Sequence, residues 1–372
     1  MADSPPNHAP LDSPAPVYAE PEPCPIAPRA VPELRHGLAH WLDDTAPMVW
    51  AQIMSISGDS GGGFNHQPLG ERLFYTPPKW DHLPVVHRAA VLASAESARV
   101  RAADLFHVSE DTTRLALHAG TTLPDFTLRP EDLPARHGFL VWGASIARSD
   151  DATTPAGEPI VACSWGLFNP DTDTGPANTV WVSFYAYSAF NDPDALAAAA
   201  PEPAQRALLR TLVFELNFER ETVLPFTDTP QQWFSQAKDA GGDPSLAYRA
   251  QWLEPLVRTL VATWLLMGQD LTDQAEAPAD AKSRLARKLA KRGRPLPPVR
   301  LVELHRPRTG GGEDSGRRVG VKFVVRGHWR NQWYPSQQRH KPKWIHPYIK
   351  GPEDGPWAAG ETVTTVHAPP AG

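Results

Sequence analysis

The sequence predicts an α+β protein, in which a helical body with an antiparallel β-meander is followed by a small basic α+β module. Three observations support this fold class. Several long segments repeat apolar residues at helical spacing, short β-branched and aromatic runs lie between them, and charge is distributed unevenly along the chain. With 372 residues, 41% of them hydrophobic, the chain is long enough for two domains.

Charge separates the chain into an acidic and a basic part. Residues 282–350 hold 19 Lys and Arg against three acidic residues, a formal charge of +16, whereas the rest of the chain carries −22. Such a division indicates a polyanion-binding part joined to an acidic globular part. The alternative is that the two parts neutralise each other within the fold.

Residues 1–32 form a proline-rich leader. It contains ten prolines and too little apolar surface to offset the entropy of ordering, so we expect it to be disordered. It lacks the basic and apolar regions of a secretory signal, and no run of 18 uncharged apolar residues occurs in the chain. With Cys24 and Cys163 as the two cysteines, we expect a cytoplasmic protein without disulfides, metal, cofactor or membrane contact.

The acidic body, residues 33–270, is predicted to begin with a helix from Val31 through Leu42. Residues 87–117 are also expected to be helical, because alanine and leucine recur there at helical spacing. The change to β-branched and aromatic runs, separated by turn-rich links, predicts an antiparallel meander. Its three strands are expected at residues 139–142, 159–165 and 179–185.

Helical patterns return after the meander. We expect residues 204–224 to form one helix and residues 246–267 another, the second with a wide apolar face. Its charged residues exclude a membrane span. Residues 270–280 are polar and acidic, which is typical of a hinge.

The basic module is expected at residues 281–352, followed by a tail at residues 353–372. A short basic helix is predicted over residues 281–292, where Gly293 ends it. Strands are expected at residues 299–304, 321–334 and 344–349. Three strands beside a basic helix would form a small α+β unit.

Side-chain alternation in the second of these strands defines the candidate binding site. Residues two apart in a strand project to the same side, so Arg326, His328 and Arg330 would share a cationic face. The expected phosphate and stacking contacts are Lys322, Arg326, Arg330, Gln332, Trp333, Tyr334, Lys343 and Trp344, with Arg284, Lys288 and Lys291 on the helix.

Three functions remain open on the residues alone. The first is non-enzymatic binding of DNA or RNA through the basic, aromatic module. The second is a metal-independent nuclease or toxin, in which His328 transfers a proton and Arg330 and Tyr334 stabilise the transition state. The third is a protein-interaction scaffold. A two-metal nuclease is disfavoured, because residues 282–350 contain only three acidic residues.

Two C-terminal segments carry a family resemblance. They are VRGHWRNQWYPS, from Val325 to Ser336, and WIHPYIKGP, from Trp344 to Pro352. They resemble the C-terminus of uncharacterised actinobacterial proteins encoded on plasmids, phages or integrative elements. Residues 261–267 and Arg306-Pro307-Arg308 are similar to the same family, so the resemblance covers about the last third of the chain. It implies a mobile-element setting and brings no established activity.

Overall fold

The computed structural model describes residues 20–55, 74–149, 157–172, 175–239, 244–304 and 323–350. Within these ranges the protein combines helices with one large mixed sheet and two small antiparallel pairs, which confirms the predicted α+β class. Several predicted features lie outside the described residues. These are the first 19 residues of the leader, Arg306-Pro307-Arg308, Lys322 and the tail at residues 353–372.

The described helices are α1 (Val31–Asp44), α2 (Ala46–Ser55), α3 (Val85–Ala102), α4 (Glu110–Thr121), α5 (Pro193–Ala199), α6 (Pro203–Leu212), α7 (Pro230–Asp239), α8 (Pro244–Met267) and α9 (Arg284–Lys291). The described strands are β1 (Asp104–Val108), β2 (His137–Trp142), β3 (Ala147–Arg148), β4 (Pro159–Phe168), β5 (Thr179–Tyr187), β6 (Leu216–Pro225), β7 (Thr272–Ala277), β8 (Val299–Leu304), β9 (Phe323–Val325), β10 (His328–Tyr334), β11 (Arg339–Ile345) and β12 (Tyr348–Lys350).

The large sheet has the strand order β6-β5-β4-β2-β1-β8-β7, and β3 pairs with β4. Strand β1 runs parallel to both of its neighbours, β2 and β8, and the other pairs are antiparallel. The predicted meander is therefore present as β2, β4 and β5, and β6 extends it at one edge. Strand β10 pairs with β11, and β9 with β12.

Helices cover both faces of the sheet. Because successive strand residues point to opposite faces, Leu140 and Trp142 of β2 enter the core that α8 shares, whereas Phe139 and Val141 meet α1 and α3. Helix α8 spans 24 residues and contributes the apolar stripe that its sequence predicts. None of the helices in the described part of the chain has the length and apolar character that a bilayer crossing requires.

Helix α4 supports the candidate site, and interactions within its first turn determine where it begins. The Ser109 hydroxyl caps the helix by accepting a hydrogen bond from the Thr112 amide at 3.3 Å. Glu110 and Asp111 lie in the first turn, where negative charge is favourable because the helix dipole is positive at that end. The helix packs along α8, and this pair forms the surface that receives the C-terminal strands.

Several segments differ from the sequence predictions. In the leader, which we expected to be disordered, residues 20–32 are ordered: Ile26 is buried in the core, and the Cys24 amide donates to the Gly143 carbonyl at 2.9 Å. The helix expected over residues 204–224 ends at Leu212, and β6 follows as an edge strand paired with β5. The expected hinge at residues 270–280 contains β7, which pairs with β8. The expected helix over residues 87–117 is divided by β1, because a run of only five residues is too short for its periodicity to distinguish a strand from a helix.

Strand β8 lies in the large sheet and not in the C-terminal module where we expected it. Its residues 300–302 pair in parallel with residues 106–108 of β1, and β7 pairs along its other side. The expected group of three strands beside a basic helix is therefore corrected. Sheet hydrogen bonds cross the boundary that we placed at residue 281, and the strands after residue 322 pair among themselves.

A fully buried carboxylate, that of Glu96 on α3, lies against the sheet. Burial works to raise the pKa of Glu96, but a charged guanidinium and three hydroxyl donors outweigh this effect, and the net pKa is lowered. Its partners are Arg99, Ser164 (2.5 Å), Ser183 (2.9 Å) and Tyr185.

A second buried carboxylate, that of Glu221 on β6, has the opposite shift. It accepts hydrogen bonds from the Tyr75 amide at 2.8 Å and from the Trp181 indole at 2.9 Å. Burial raises the pKa of Glu221 to about 8; attraction to Arg99 opposes this shift, and repulsion from Glu96 adds to it. The core on this face thus holds one ionised and, at neutral pH, one mainly protonated glutamate.

Candidate nucleic-acid interface

The hairpin formed by β10 and β11 contains most of the predicted contact residues. Its register runs from His328 opposite Ile345 to Tyr334 opposite Arg339, and Gln338 in the turn has a left-handed φ of 49°. Cross-strand partners share a face, so the hairpin has two faces. We call one the cationic face (His328, Arg330, Gln332, Tyr334, Arg339, Lys341, Lys343, Ile345) and the other the aromatic face (Trp329, Asn331, Trp333, His340, Pro342, Trp344).

Two tryptophans of the aromatic face attach the hairpin to α4 and α8. The Trp329 indole donates a hydrogen bond of 2.8 Å to the Ala119 carbonyl, and its ring meets that of Trp344 edge to face at 5.3 Å. Trp344 is 3% exposed and packs in a cluster with residues of both helices. Trp344 is therefore a core residue here and not an accessible stacking surface, which corrects the role that we expected for it.

Gly327 lets the chain pass close to this anchor. A Cβ atom at Gly327 would lie 2.6 Å from the Trp344 ring, which is closer than atoms of that kind approach. The Trp344 amide donates at 3.1 Å to the Gln269 side chain, which follows α8. The hairpin is thus held at its open end by packing and by backbone contacts to the body.

At its turn end, the hairpin is held by the carboxylate of Asp132. Arg339 donates to this carboxylate at 3.0 Å, and the Lys341 ammonium lies 2.9 Å from it. Burial works to raise the pKa of Asp132, but hydrogen bonds from Arg339 and Lys341 outweigh it, and the net pKa is lowered. Sequence reasoning missed this contact, because no local pattern links residues 207 positions apart.

Arg330 and Lys343 lie directly opposite each other on the cationic face. Among the described residues, neither side chain forms an ion pair. Like charges directly opposite in a sheet are destabilising. Arg330 is exposed and donates to the Gln332 amide oxygen, so the guanidinium is oriented by a neutral neighbour and its charge is not neutralised.

Two further residues lie near the start of β10. The single strand predicted over residues 321–334 is interrupted at Arg326 and Gly327, so Arg326 precedes β10 and does not share its side-chain alternation. Arg326 and His328 are both exposed, and the His328 Nδ1 lies 3.0 Å from the Arg326 carbonyl. We call Arg326, His328, Arg330 and Lys343 the cationic patch. Residues 323–350 contain six Lys and Arg and no Asp or Glu, so the segment itself supplies no counter-charge.

The remaining aromatic residues of the hairpin lie near its turn. Trp333 is 45% exposed, and its ring centroid lies 5.1 Å from that of His340, its cross-strand partner. Tyr334 is half-buried on the cationic face. Of the three expected stacking residues, Trp333 is the one that the structure leaves most accessible.

Helix α9 is a second basic surface. Ser283 caps it by accepting from the Ala286 amide at 3.1 Å, and its basic residues are exposed. These residues are Arg284, Arg287, Lys288 and Lys291. Within the described ranges, no hydrogen bond, ion pair or ring contact joins α9 to the hairpin, so the structure does not bring the two predicted groups of cations together.

The three residues expected to support catalysis do not converge. His328 and Tyr334 occupy opposite ends of β10, six residue steps or about 20 Å apart. Arg330 is near His328 on the same face, but Tyr334 cannot act on the same phosphate. In the part of the chain that the structure describes, no three His, Cys, Asp or Glu side chains come together as metal ligands.

Comparison with known proteins adds a remote structural likeness. No protein-family model matches the chain, and no curated protein matches it. Among solved structures, the chain is similar to the crystal structure of AcrVA2, with 12% sequence identity and a TM-score of 0.33 over 86% of this chain and 93% of that one. At this level of similarity, a shared function does not follow.

Proposed function

We propose that this protein binds nucleic acid by holding the phosphate backbone on the cationic patch, with α9 as a second phosphate contact. The observation that carries the proposal is the position of Arg330 directly opposite Lys343, without an acidic partner among the described residues. A phosphate between them would replace repulsion by two charge-assisted hydrogen bonds. Several spaced cations also bind a nucleic-acid backbone well, because each of them can neutralise one of its regularly spaced phosphates.

The alternative of internal neutralisation applies to another part of the hairpin. Asp132 takes up Arg339 and Lys341, so the acidic body does neutralise the turn end. Arg330 and Lys343 lie on the same face and have no such acid within the described residues. This difference between the two ends supports an external anion at the cationic patch.

The proposal is binding without cleavage. The separation of His328 from Tyr334 along β10 removes the proton carrier and the supporting hydroxyl from a common phosphate. The resemblance of the C-terminal segments to proteins of plasmids, phages and integrative elements supports a setting in which the ligand belongs to a mobile element or to its host.

The test is a binding titration of labelled DNA and RNA at about 50 and about 200 mM salt, with EDTA present. The variant Arg330→Ala with Lys343→Ala removes the opposed pair. Losing two phosphate contacts should weaken binding and reduce the slope of log affinity against log salt by about 1.4 to 1.8. The matched control, Arg136→Ala with Arg210→Ala, removes two exposed cations elsewhere and should leave that slope unchanged.

Each of three results would contradict the proposal in a different way. Equal salt slopes in the two double variants would remove the cationic patch from the interface. Cleavage that persists in EDTA and disappears in His328→Ala would favour the nuclease hypothesis. Failure of the unmodified protein to bind any of the nucleic acids would leave an acidic protein partner as the better explanation.

A further inference from the structure

Trp333 is an exposed aromatic side chain that the core does not use. Four large hydrophobic residues are clearly exposed in the described part of the chain (Met48, Val86, Leu208 and Trp333), and Trp333 alone among them is aromatic. It belongs to none of the three hydrophobic clusters of the described residues. Attachment of the hairpin is the task of Trp329 and Trp344, so Trp333 is not needed for it.

His340 makes this exposed ring part of a pair. The two ring centroids lie 5.1 Å apart with an angle of 56° between the planes, and both residues are exposed. The pair lies beside the hairpin turn, on the aromatic face. An exposed indole next to an imidazole offers a flat apolar surface with polar edges, which is the kind of surface on which a nucleobase stacks.

We infer that Trp333 and His340 form a stacking platform for an unpaired base, so that the nucleic acid bound by this protein is single-stranded. This inference rests on the proposed function. In a duplex, each base face is covered by its neighbours, so the hairpin could contact phosphates and groove edges but could not stack on a base. A single strand exposes base faces, and stacking on an aromatic side chain then adds affinity without requiring a particular sequence.

One strand can reach both the platform and the cationic patch. Arg330 and Trp333 are three residues apart on β10, which corresponds to about 10 Å. They point to opposite faces, and among the described strands β10 pairs only with β11, so no described strand lies along its other edge. A single-stranded nucleic acid that follows this edge of β10 would place phosphates beside Arg330 and a base over Trp333.

The test compares probes that differ in their bases, in their sugar or in the number of strands. Fluorescence anisotropy is measured with an oligothymidylate of about 15 nucleotides, with an oligouridylate of that length, with an abasic strand carrying the same phosphates, and with a duplex. Trp333→Ala should bind the oligothymidylate about tenfold more weakly than the unmodified protein, whereas Trp333→Tyr should retain most of the affinity. Leu208→Ala, which also removes an exposed apolar side chain, should have no effect.

The abasic strand separates stacking from charge. It should bind more weakly than the oligothymidylate, and Trp333→Ala should cause no further loss on it, because the base that stacks is absent. Comparison of the oligothymidylate with the oligouridylate shows whether DNA or RNA is preferred. Thermal unfolding of Trp333→Ala should match that of the unmodified protein, because the side chain is exposed.

Several outcomes would overturn the inference. An equal loss on the abasic and base-bearing strands would mean that Trp333 acts without stacking, and no loss on either would remove it from the interface. Preference for the duplex would exclude a single-stranded ligand. If only the Arg330 and Lys343 variants weaken binding, the proposed function survives and this inference fails; if the unmodified protein binds no probe, both fail.

Discussion

At the scale of residues, two of the buried glutamates, Glu96 and Glu221, have pKa values shifted in opposite directions. A buried charge is costly unless it is paired and hydrogen-bonded, and Glu96 meets this condition through Arg99 and three hydroxyl groups. Glu221 avoids the cost of a buried charge by keeping its proton, since burial raises its pKa to about 8. Neither role is visible from the sequence, where both residues look like ordinary surface acids.

Glu221 predicts a specific pH dependence of stability. The folded state holds a proton that the unfolded chain has lost above the ordinary pKa of 4.5, so the contribution of Glu221 falls as pH rises from 4.5 to about 8. In Glu221→Gln this dependence should disappear. As pH rises across that window, the unfolding free energy of the variant should therefore increase relative to that of the unmodified protein, by at most about 1.4 kcal/mol per pH unit.

Urea denaturation at several pH values between the two limits measures the difference in unfolding free energy. Glu276→Gln, which removes an exposed glutamate of β7, is the control for the loss of one negative charge. A difference between Glu221→Gln and the unmodified protein that stays constant with pH would show that Glu221 is ionised in the folded state.

At the scale of elements, the hairpin depends on Trp329 for its attachment. Trp329→Phe keeps an aromatic ring in place but removes the donor to the Ala119 carbonyl, leaving that acceptor without this partner. We expect a loss of about 1 kcal/mol in local stability and faster amide exchange across β10 and β11. Hydrogen exchange followed by mass spectrometry measures the exchange rates of the β10 and β11 amides.

The matched change is Trp333→Phe, which alters an exposed tryptophan on the same face of the same strand. It should leave the exchange of the hairpin amides unchanged. If both variants exchange at the rate of the unmodified protein, the hairpin is held by other contacts, and the indole of Trp329 is not one of its anchors.

Some of the secondary-structure elements could be predicted from the sequence, and others could not. Helix α8 was predictable from its apolar stripe at helical spacing, and β4 and β5 from continuous β-branched and aromatic runs, which are buried on both faces of the sheet. Strand β6 was not predictable. Its polar residues 219–221 are buried in the folded protein, where β6 pairs with β5, and the local sequence gives no sign of that pairing. Its composition favoured a helix, and tertiary contacts outweighed that preference.

The candidate site was predictable to a similar extent. Alternation along β10 gives the set of residues that share a face, and the structure has His328, Arg330 and Gln332 together. Accessibility could not be predicted. The burial of Trp344 depends on α4 and α8, and the neutralisation of the turn end depends on Asp132, all distant in sequence.

At the scale of the whole molecule, β8 joins the two parts of the chain that charge distinguishes. It lies between β1 and β7, so a protein that ends at residue 280 would lose the strand that connects them. We expect such a protein to lack a cooperative thermal transition and to aggregate, whereas one ending at residue 304 should retain the transition. Circular dichroism and size-exclusion chromatography compare the two; equal transitions would mean that the sheet is stable without β8.

The position of β8 between β1 and β7 has a consequence during synthesis of the chain. About 190 residues separate it from β1, which at 5–20 residues per second corresponds to about 10 to 40 s of translation. Throughout that interval, the edge of β1 next to Phe106 and Val108 has no partner strand, and an unpaired apolar edge is a site of aggregation. Rapid translation through β8 would therefore shorten the interval in which this edge can aggregate.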